Sequence, residues 1–243
     1  MSESVELAGH MWADGTRGVA ATPHVRPDHP DVNPQELAGR ASELEDELRS
    51  QGIELGVVHA GEVDLAWGLE ASAEDLRAVS YRGHGKDLLV ETPYGPLTSN
   101  FETLLFGIAV KGYRILLAHP ERNPSFQEDP ERVERLSASG TLLQVTASAL
   151  TRPPRTSRSA KLARRLIEGG HAQVLASDLH GAAAPGRTGL VEGTRVAADL
   201  VGKARAGWMV EAVPRAILQG VPLPEAPPIE SRPTGLLARL RQR

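Results

Sequence analysis

Six short, nearly continuous apolar runs recur along the chain, and helical patterns lie between them. The runs are Gly18–Thr22, Ile53–His59, Asp87–Glu91, Arg114–Ala118, Leu142–Thr146 and Ala172–Ser177. A strand with one face in water alternates apolar and polar residues. A run that is apolar throughout needs cover on both faces, the condition of a parallel strand flanked by helices. The intervening helical patterns cover Pro34–Gln51, Ser99–Lys111, Glu131–Ala138, Ser157–Glu168, Leu190–Ala206 and Glu211–Gln219. Asn33 is placed to cap the first of these, with Pro34 at its opening position and Gly52 as its stop. Strands alternating with helices predict an α/β fold with a mainly parallel sheet. No internal repeat is present, and the turn signals do not separate two cores.

Composition narrows the chemistry. There are 243 residues and no cysteine, which removes disulfides, thiolate metal sites and cysteine nucleophiles together. Aromatic residues make up 4%, so the core must be built mainly from Ala, Val, Leu and Ile. The net charge of −4 argues against a dedicated nucleic-acid binder. No apolar run approaches the roughly 18 residues of a membrane span, and no basic-then-apolar leader opens the chain; the expected location is the cytoplasm. From Pro222 the composition turns Pro-rich and then basic, ending in Arg239, Arg241 and Arg243. The expected organisation is therefore a domain over residues 1–221 and a solvated tail over 222–243.

The polar residues that matter sit at the ends of the apolar runs. Thr22-Pro23-His24, Gly61-Glu62, Glu91, His119-Pro120-Glu121-Arg122 and Ser177-Asp178-Leu179-His180 each follow a predicted strand. In a parallel sheet or barrel such carboxyl ends converge on one rim. His24, Glu62, Glu91, His119, Asp178 and His180 would thus meet, although they span more than 150 positions. Taken singly, each is an ordinary surface acid or a structural histidine. Together, three imidazoles and three carboxylates suit Zn²⁺, Mn²⁺ or Fe, and are many donors for one ion. Bridging carboxylates would let two or three cations lie close together, as in many phosphoesterases. Arg122 and Arg187 flank the cluster, and an arginine fork matches a phosphoryl group; a surface salt bridge is the plainer use of either. No phosphate-binding glycine loop and no serine nucleophile elbow is present.

The ordered set Ala21-Thr22-Pro23-His24, Gly61-Glu62, Glu91, Ala118-His119-Pro120-Glu121-Arg122 and Ala176-Ser177-Asp178-Leu179-His180 resembles the polymerase-and-histidinol-phosphatase (PHP) superfamily. Within it, the chain is most similar to the CpsB-type metal-dependent protein-tyrosine phosphatases of bacterial capsule and exopolysaccharide loci, from about Ser2 to Gly220. The resemblance implies a distorted parallel (β/α) TIM-like barrel with two or three metal ions, usually Mn²⁺, at its carboxyl rim. It implies that His24, Glu62, Glu91, His119, Asp178 and His180 are ligands, and that Arg122 and Arg187 hold the phosphate. The implied substrate is the phosphotyrosine tail of a kinase that controls polysaccharide export. Without cysteine, that reaction needs a metal-activated water.

One departure stands out. Relatives begin with a strand carrying a His-x-His pair and an acidic, Gly-containing loop, whereas Ser2–Ala13 here already reads as the first helix. The first strand is expected to be missing, with the natural start upstream of Met1. A truncated chain of degraded activity and a strand supplied by a partner are the alternatives. Such a barrel would carry open edges on two strands and an uncovered apolar flank, and at least one ion would bind weakly. The competing functions are hydrolysis of a small phosphate ester and phosphotyrosine binding without turnover. Self-association is compatible with either.

Overall fold

The computed structural model describes residues 1–181 and 189–230. Its strands are β1 (Gly18–Ala21), β2 (His24–Val25), β3 (Gly56–His59), β4 (Glu62–Val63), β5 (Asp87–Glu91), β6 (Arg114–Ala118), β7 (Leu142–Thr146) and β8 (Val174–Ala176). The helices are α1 (Ser2–Ala13), α2 (Leu37–Ser50), α3 (Leu65–Glu70), α4 (Ala73–Val79), α5 (Phe101–Ala109) and α6 (Pro124–Glu128), then α7 (Pro130–Ala138), α8 (Ala147–Thr151), α9 (Arg158–Glu168), α10 (Leu190–Val201), α11 (Lys203–Gly207) and α12 (Val213–Gln219). A π-helical turn, Trp208–Ala212, joins the last two.

Every strand pairing is parallel. β2, β4, β5, β6, β7 and β8 form one sheet in that order, and β1 pairs with β3 in a second. The two sheets are consecutive stretches of the same two staves. Residues 18–25 run beside 56–63, and hydrogen bonds bridge the seam, from Ala60 N to Ala21 O at 3.1 Å and from Glu62 N to Pro23 O at 2.9 Å. Two residues make the break. Pro23 has no N–H to offer, and Gly61 N turns aside to bond Val79 O at 2.8 Å. A Cβ on Gly61 would lie 2.6 Å from Val25 Cγ2, so only glycine admits this close approach.

The six staves coincide with the six predicted apolar runs, and β5, β6 and β7 have the predicted bounds. All residues of β5 and β7 are buried, as cover on both faces requires. The helical predictions hold with three changes of form: Pro34–Glu36 is a 3₁₀ turn leading into α2, Glu211 and Ala212 belong to the π-helical turn before α12, and the expected Leu190–Ala206 helix is broken at Gly202, whose φ of +90° ends α10. Four short helices, α3, α4, α6 and α8, escaped the sequence reading. Three of their caps were legible, since Asp64 accepts from Trp67 N, Ser72 from Asp75 N and Asn123 from Ser125 N.

Apolar side chains divide into a large cluster lining β4–β8 with the helices around them, and a smaller one of Val5, Ala8, Met11, Ala41, Leu48, Leu55 and Val57. The smaller cluster sits where α1 and α2 cover β1 and β3. Among the described residues no strand lies between β1 and β8, so the barrel is not closed. An apolar cleft of about 510 Å³ runs between their edges, lined by Leu7, Met11, Ala21, Leu175 and Ile217 among others. Open edges on two strands were the expected consequence of a missing stave.

The expected tail is bound to the body as far as Glu230. Trp208 Nε1 donates to Pro224 O at 3.1 Å, Arg205 Nη1 to Pro227 O at 3.0 Å and Glu230 N to Val201 O at 3.0 Å. The basic segment around Arg239, Arg241 and Arg243 lies outside the described residues.

Candidate metal centre

Each predicted donor is set by the end of a stave. His24 and Glu62 pair in register within β2 and β4, one step inside the expected loops. Glu91 is the last residue of β5, and His119 directly follows β6. His119 and Asp178 both adopt left-handed backbone, with φ of 35° and 50°. Non-glycine residues there cost on the order of 1–3 kcal/mol and persist where the surroundings over-determine them. The His119 peptide is so held: its N–H donates to Gln144 O at 2.8 Å.

The donors converge. His119 Nε2 lies 2.8 Å from Glu62 Oε1. His24 Nδ1 is 3.7 Å from both Glu62 Oε2 and Glu91 Oε2, and its Nε2 is 3.4 Å from Nε2 of His180. Two sets of three have all their donor atoms within 4.8 Å of one another: His24, Glu62 and Glu91, and Glu62, His119 and Asp178. Glu62 belongs to both, which is the placement of a bridging carboxylate. His180 joins neither set but faces His24, their rings 5.5 Å apart.

These side chains fit divalent cations better than they fit one another. His24 Nδ1, Glu91 Oε1 and Asp178 Oδ2 are buried without a hydrogen-bond partner, a costly state for polar groups. Arg122 Nη2 approaches Asp178 Oδ2 at 2.5 Å, without the alignment of a hydrogen bond. Donors about 2.1 Å from a shared ion stand roughly 3.0–3.5 Å apart, close to the unbonded separations around His24. Burial works against an imidazolium at His119, yet the hydrogen bond and charge of Glu62 outweigh it and hold its pKa above the ordinary value.

Arg122 is anchored by donating from Nη2 to Thr146 Oγ1 at 3.1 Å, and its side chain is 36% exposed. Arg187 lies outside the described residues. Sequence reasoning missed three neighbours of the cluster. Arg26 Nη1 reaches Glu91 Oε2 at 3.5 Å while its fork grips Asp28 at 2.5 and 2.6 Å. Tyr94 stacks on His119 with ring centroids 6.3 Å apart. Glu121, fully buried, accepts from Thr146 N at 3.0 Å. Arg26 lies two residues beyond His24 and could have been found by strand alternation, since i and i+2 share a face; the other two depend on how loops fold back.

The cleft between β1 and β8 opens onto His24, Glu62, Asp178 and His180. A wider groove of about 700 Å³ lies at the amino ends of β6 and β7 and holds none of these donors.

Known proteins resemble this chain in sequence and in fold. A family model described as capsular polysaccharide synthesis, CpsB/CapC, matches residues 1–218. The tyrosine-protein phosphatase YwqE of Bacillus subtilis (strain 168) is 27% identical over 179 residues, 74% of this chain and 70% of that protein. CapC of Staphylococcus aureus is 23% identical over 182 residues, with the same coverage of 74% and 70%. A solved chain from the pair YwqE of B. subtilis and CpsB of Streptococcus pneumoniae, described as metal-dependent tyrosine phosphatases, has a TM-score of 0.77 at 24% identity. That match covers 95% of this chain and 92% of the other, and establishes the fold.

Proposed function

This chain belongs to the capsular polysaccharide synthesis family CpsB/CapC, and from that premise we propose that it is a metal-dependent protein-tyrosine phosphatase. The observation that carries the proposal is Glu62, shared by two donor sets beside an anchored arginine. His24, Glu62, Glu91, His119, Asp178 and His180 hold two or three divalent ions, Mn²⁺ being the first to test and Zn²⁺ or Fe the alternatives. The substrate in this reading is the phosphotyrosine tail of a kinase controlling polysaccharide export. Residues 1–221 form the phosphatase domain, and 222–243 follow as its tail.

Bound divalent cations lower the pKa of water and offset phosphoryl charge. The chain's own residues do the rest. Glu62 and Glu91, 3% and 5% exposed, are carboxylate donors fixed in rigid strands, so cations bound there would be held in place without reorganisation as charge develops on the phosphoryl oxygens. His119 and Asp178 are aimed inward by their left-handed turns. Both noted contacts of Arg122, to Thr146 and Asp178, fall on Nη2; its remaining N–H donors suit the equatorial oxygens of a transferring phosphoryl group. A tyrosinate leaving group, with a phenol pKa near 10, needs little help from an acid.

The test is hydrolysis of a phosphotyrosyl peptide under Mn²⁺ titration, with Arg122→Ala and His180→Ala alongside. Metal-dependent turnover that falls on the order of 100-fold in Arg122→Ala is expected. Turnover that ignores added metal or chelator would overturn the proposal.

A further inference from the structure

Beyond Glu91 the chain leaves the sheet through Thr92-Pro93-Tyr94-Gly95-Pro96, and Tyr94 is left 63% exposed. One exposed aromatic is unremarkable on any surface. Its support is not. Asn123 is 1% exposed, and its amide nitrogen donates to the two carbonyls that flank Tyr94, Pro93 O at 2.6 Å and Gly95 O at 2.9 Å. Its Oδ1 accepts from Ser125 N at 2.9 Å and Phe126 N at 3.4 Å, capping α6. Both donors and the acceptor of a buried asparagine thus tie one loop tip to one helix end. Thr92 Oγ1 donates to Ala118 O, and Leu97 N to Ser125 Oγ at 3.0 Å, closing the loop on either side. Pro93 and Pro96 restrict the backbone further.

The segment His119–Asn123 therefore does three things at once. It supplies a donor in His119, an anion-binding fork in Arg122, and the clamp that presents Tyr94. The Tyr94 ring lies at 22° to the His119 ring, one face against it and most of its surface in water. In an aryl phosphate only the ester oxygen separates phosphorus from the ring. A phosphoryl group bound by Arg122 beside His119 would carry its aryl ring toward the face of the site where Tyr94 stands, and aromatic rings that meet there gain from packing on one another.

We propose that Tyr94 is the specificity residue of this site, an aromatic wall that selects aryl over alkyl phosphate monoesters. The inference rests on the phosphatase reading above and sharpens it from phosphoesters to aryl phosphoesters. Tyr94 is a binding residue here; it transfers no proton and forms no bond.

The test uses the full chain with Mn²⁺, as wild type, Tyr94→Ala and Tyr94→Phe. Binding of phenyl phosphate and of methyl phosphate is measured by calorimetry, and hydrolysis is followed on one peptide carrying either phosphotyrosine or phosphoserine. Wild type should bind phenyl phosphate roughly 3- to 10-fold more tightly than methyl phosphate. Tyr94→Ala should erase that difference and raise KM for the phosphotyrosyl peptide by a similar factor, with Tyr94→Phe restoring both. An equal fall in kcat on both peptides with the binding preference intact would mean that the ring merely covers His119, and would overturn the inference. So would equal binding of the two esters by wild type. Aryl preference in binding without turnover of either peptide would leave the wall standing and sink the phosphatase reading instead.

Discussion

The two ends of the first two staves differ in depth. At β2 and β4, continuous with β5–β8, Val25, Glu62 and Val63 are 0–3% exposed. A few residues earlier, β1 has no fully buried residue and β3 has only Val57. Of the candidate metal donors, His24, Glu62, Glu91 and His119 lie in or directly after strands of the deep part, Asp178 and the exposed His180 lie in the loop beyond β8, and β1 and β3 contribute none. Carboxylates at 3–5% exposure are tolerable only where a rigid wall holds partners or ions against them. The shallow part, with its small separate cluster beneath α1 and α2, has no such wall to offer.

The largest effect should come from the residue at the centre of the deep part. Glu62→Gln keeps the shape but removes the charge shared by both donor sets. Metal-dependent turnover should fall on the order of 100-fold or more, with more Mn²⁺ needed for half-maximal rate. Undiminished turnover would remove Glu62 as the bridge.

A matched pair of truncations asks whether the two parts unfold separately. Leu143 in β7 and Leu48 in α2 are both 0% exposed, and truncation of either to alanine should cost about 2–5 kcal/mol. Hydrogen exchange should then diverge. Leu143→Ala should lower protection throughout, whereas Leu48→Ala should loosen α1, α2, β1 and β3 and spare β5–β7. Equal loosening of β5–β7 in both variants would make the molecule one cooperative unit and end the distinction.

Titration gives a smaller contrast, of opposite sign at two carboxyls. Burial raises the Glu121 pKa above its ordinary 4.5. The folded state then keeps a proton that the unfolded state has released. Its stabilising contribution is complete below 4.5 and is lost as pH rises through the raised value. In chelator, Glu121→Gln should flatten the decline in stability above pH 4.5, measured by urea unfolding. Asp28 behaves in reverse. The hydrogen bond from Arg26 holds it at about 2, so its contribution is present above 3.8 and disappears as pH falls through about 2. Being exposed, that pair is screened, and Asp28→Asn should be the least detectable change of all in about 0.15 M salt.

Much of the architecture was legible before folding. The strands could be read because an apolar run with cover on both faces looks the same wherever it is, and α2 with the 3₁₀ turn that leads into it because Asn33, Pro34 and Gly52 mark the ends of that stretch locally. α3, α4, α6 and α8 were missed because five to seven residues hold too few turns for a periodicity to register. All six candidate donors were named from their positions at strand ends, and the structure brings five of them into the two overlapping sets, with His180 beside His24.

What the sequence determined by itself was the parallel α/β plan and the identity of the polar residues on its rim, because both follow from short-range pattern. Only the tertiary structure decided that Glu62 is shared, that Pro23 and Gly61 split two staves, that β1 and β8 face each other across an open cleft, and that Asn123 holds Tyr94 over His119. Those arrangements depend on contacts between residues tens of positions apart. Strand register and loop closure set such contacts, and neither leaves a mark in the local order of residues.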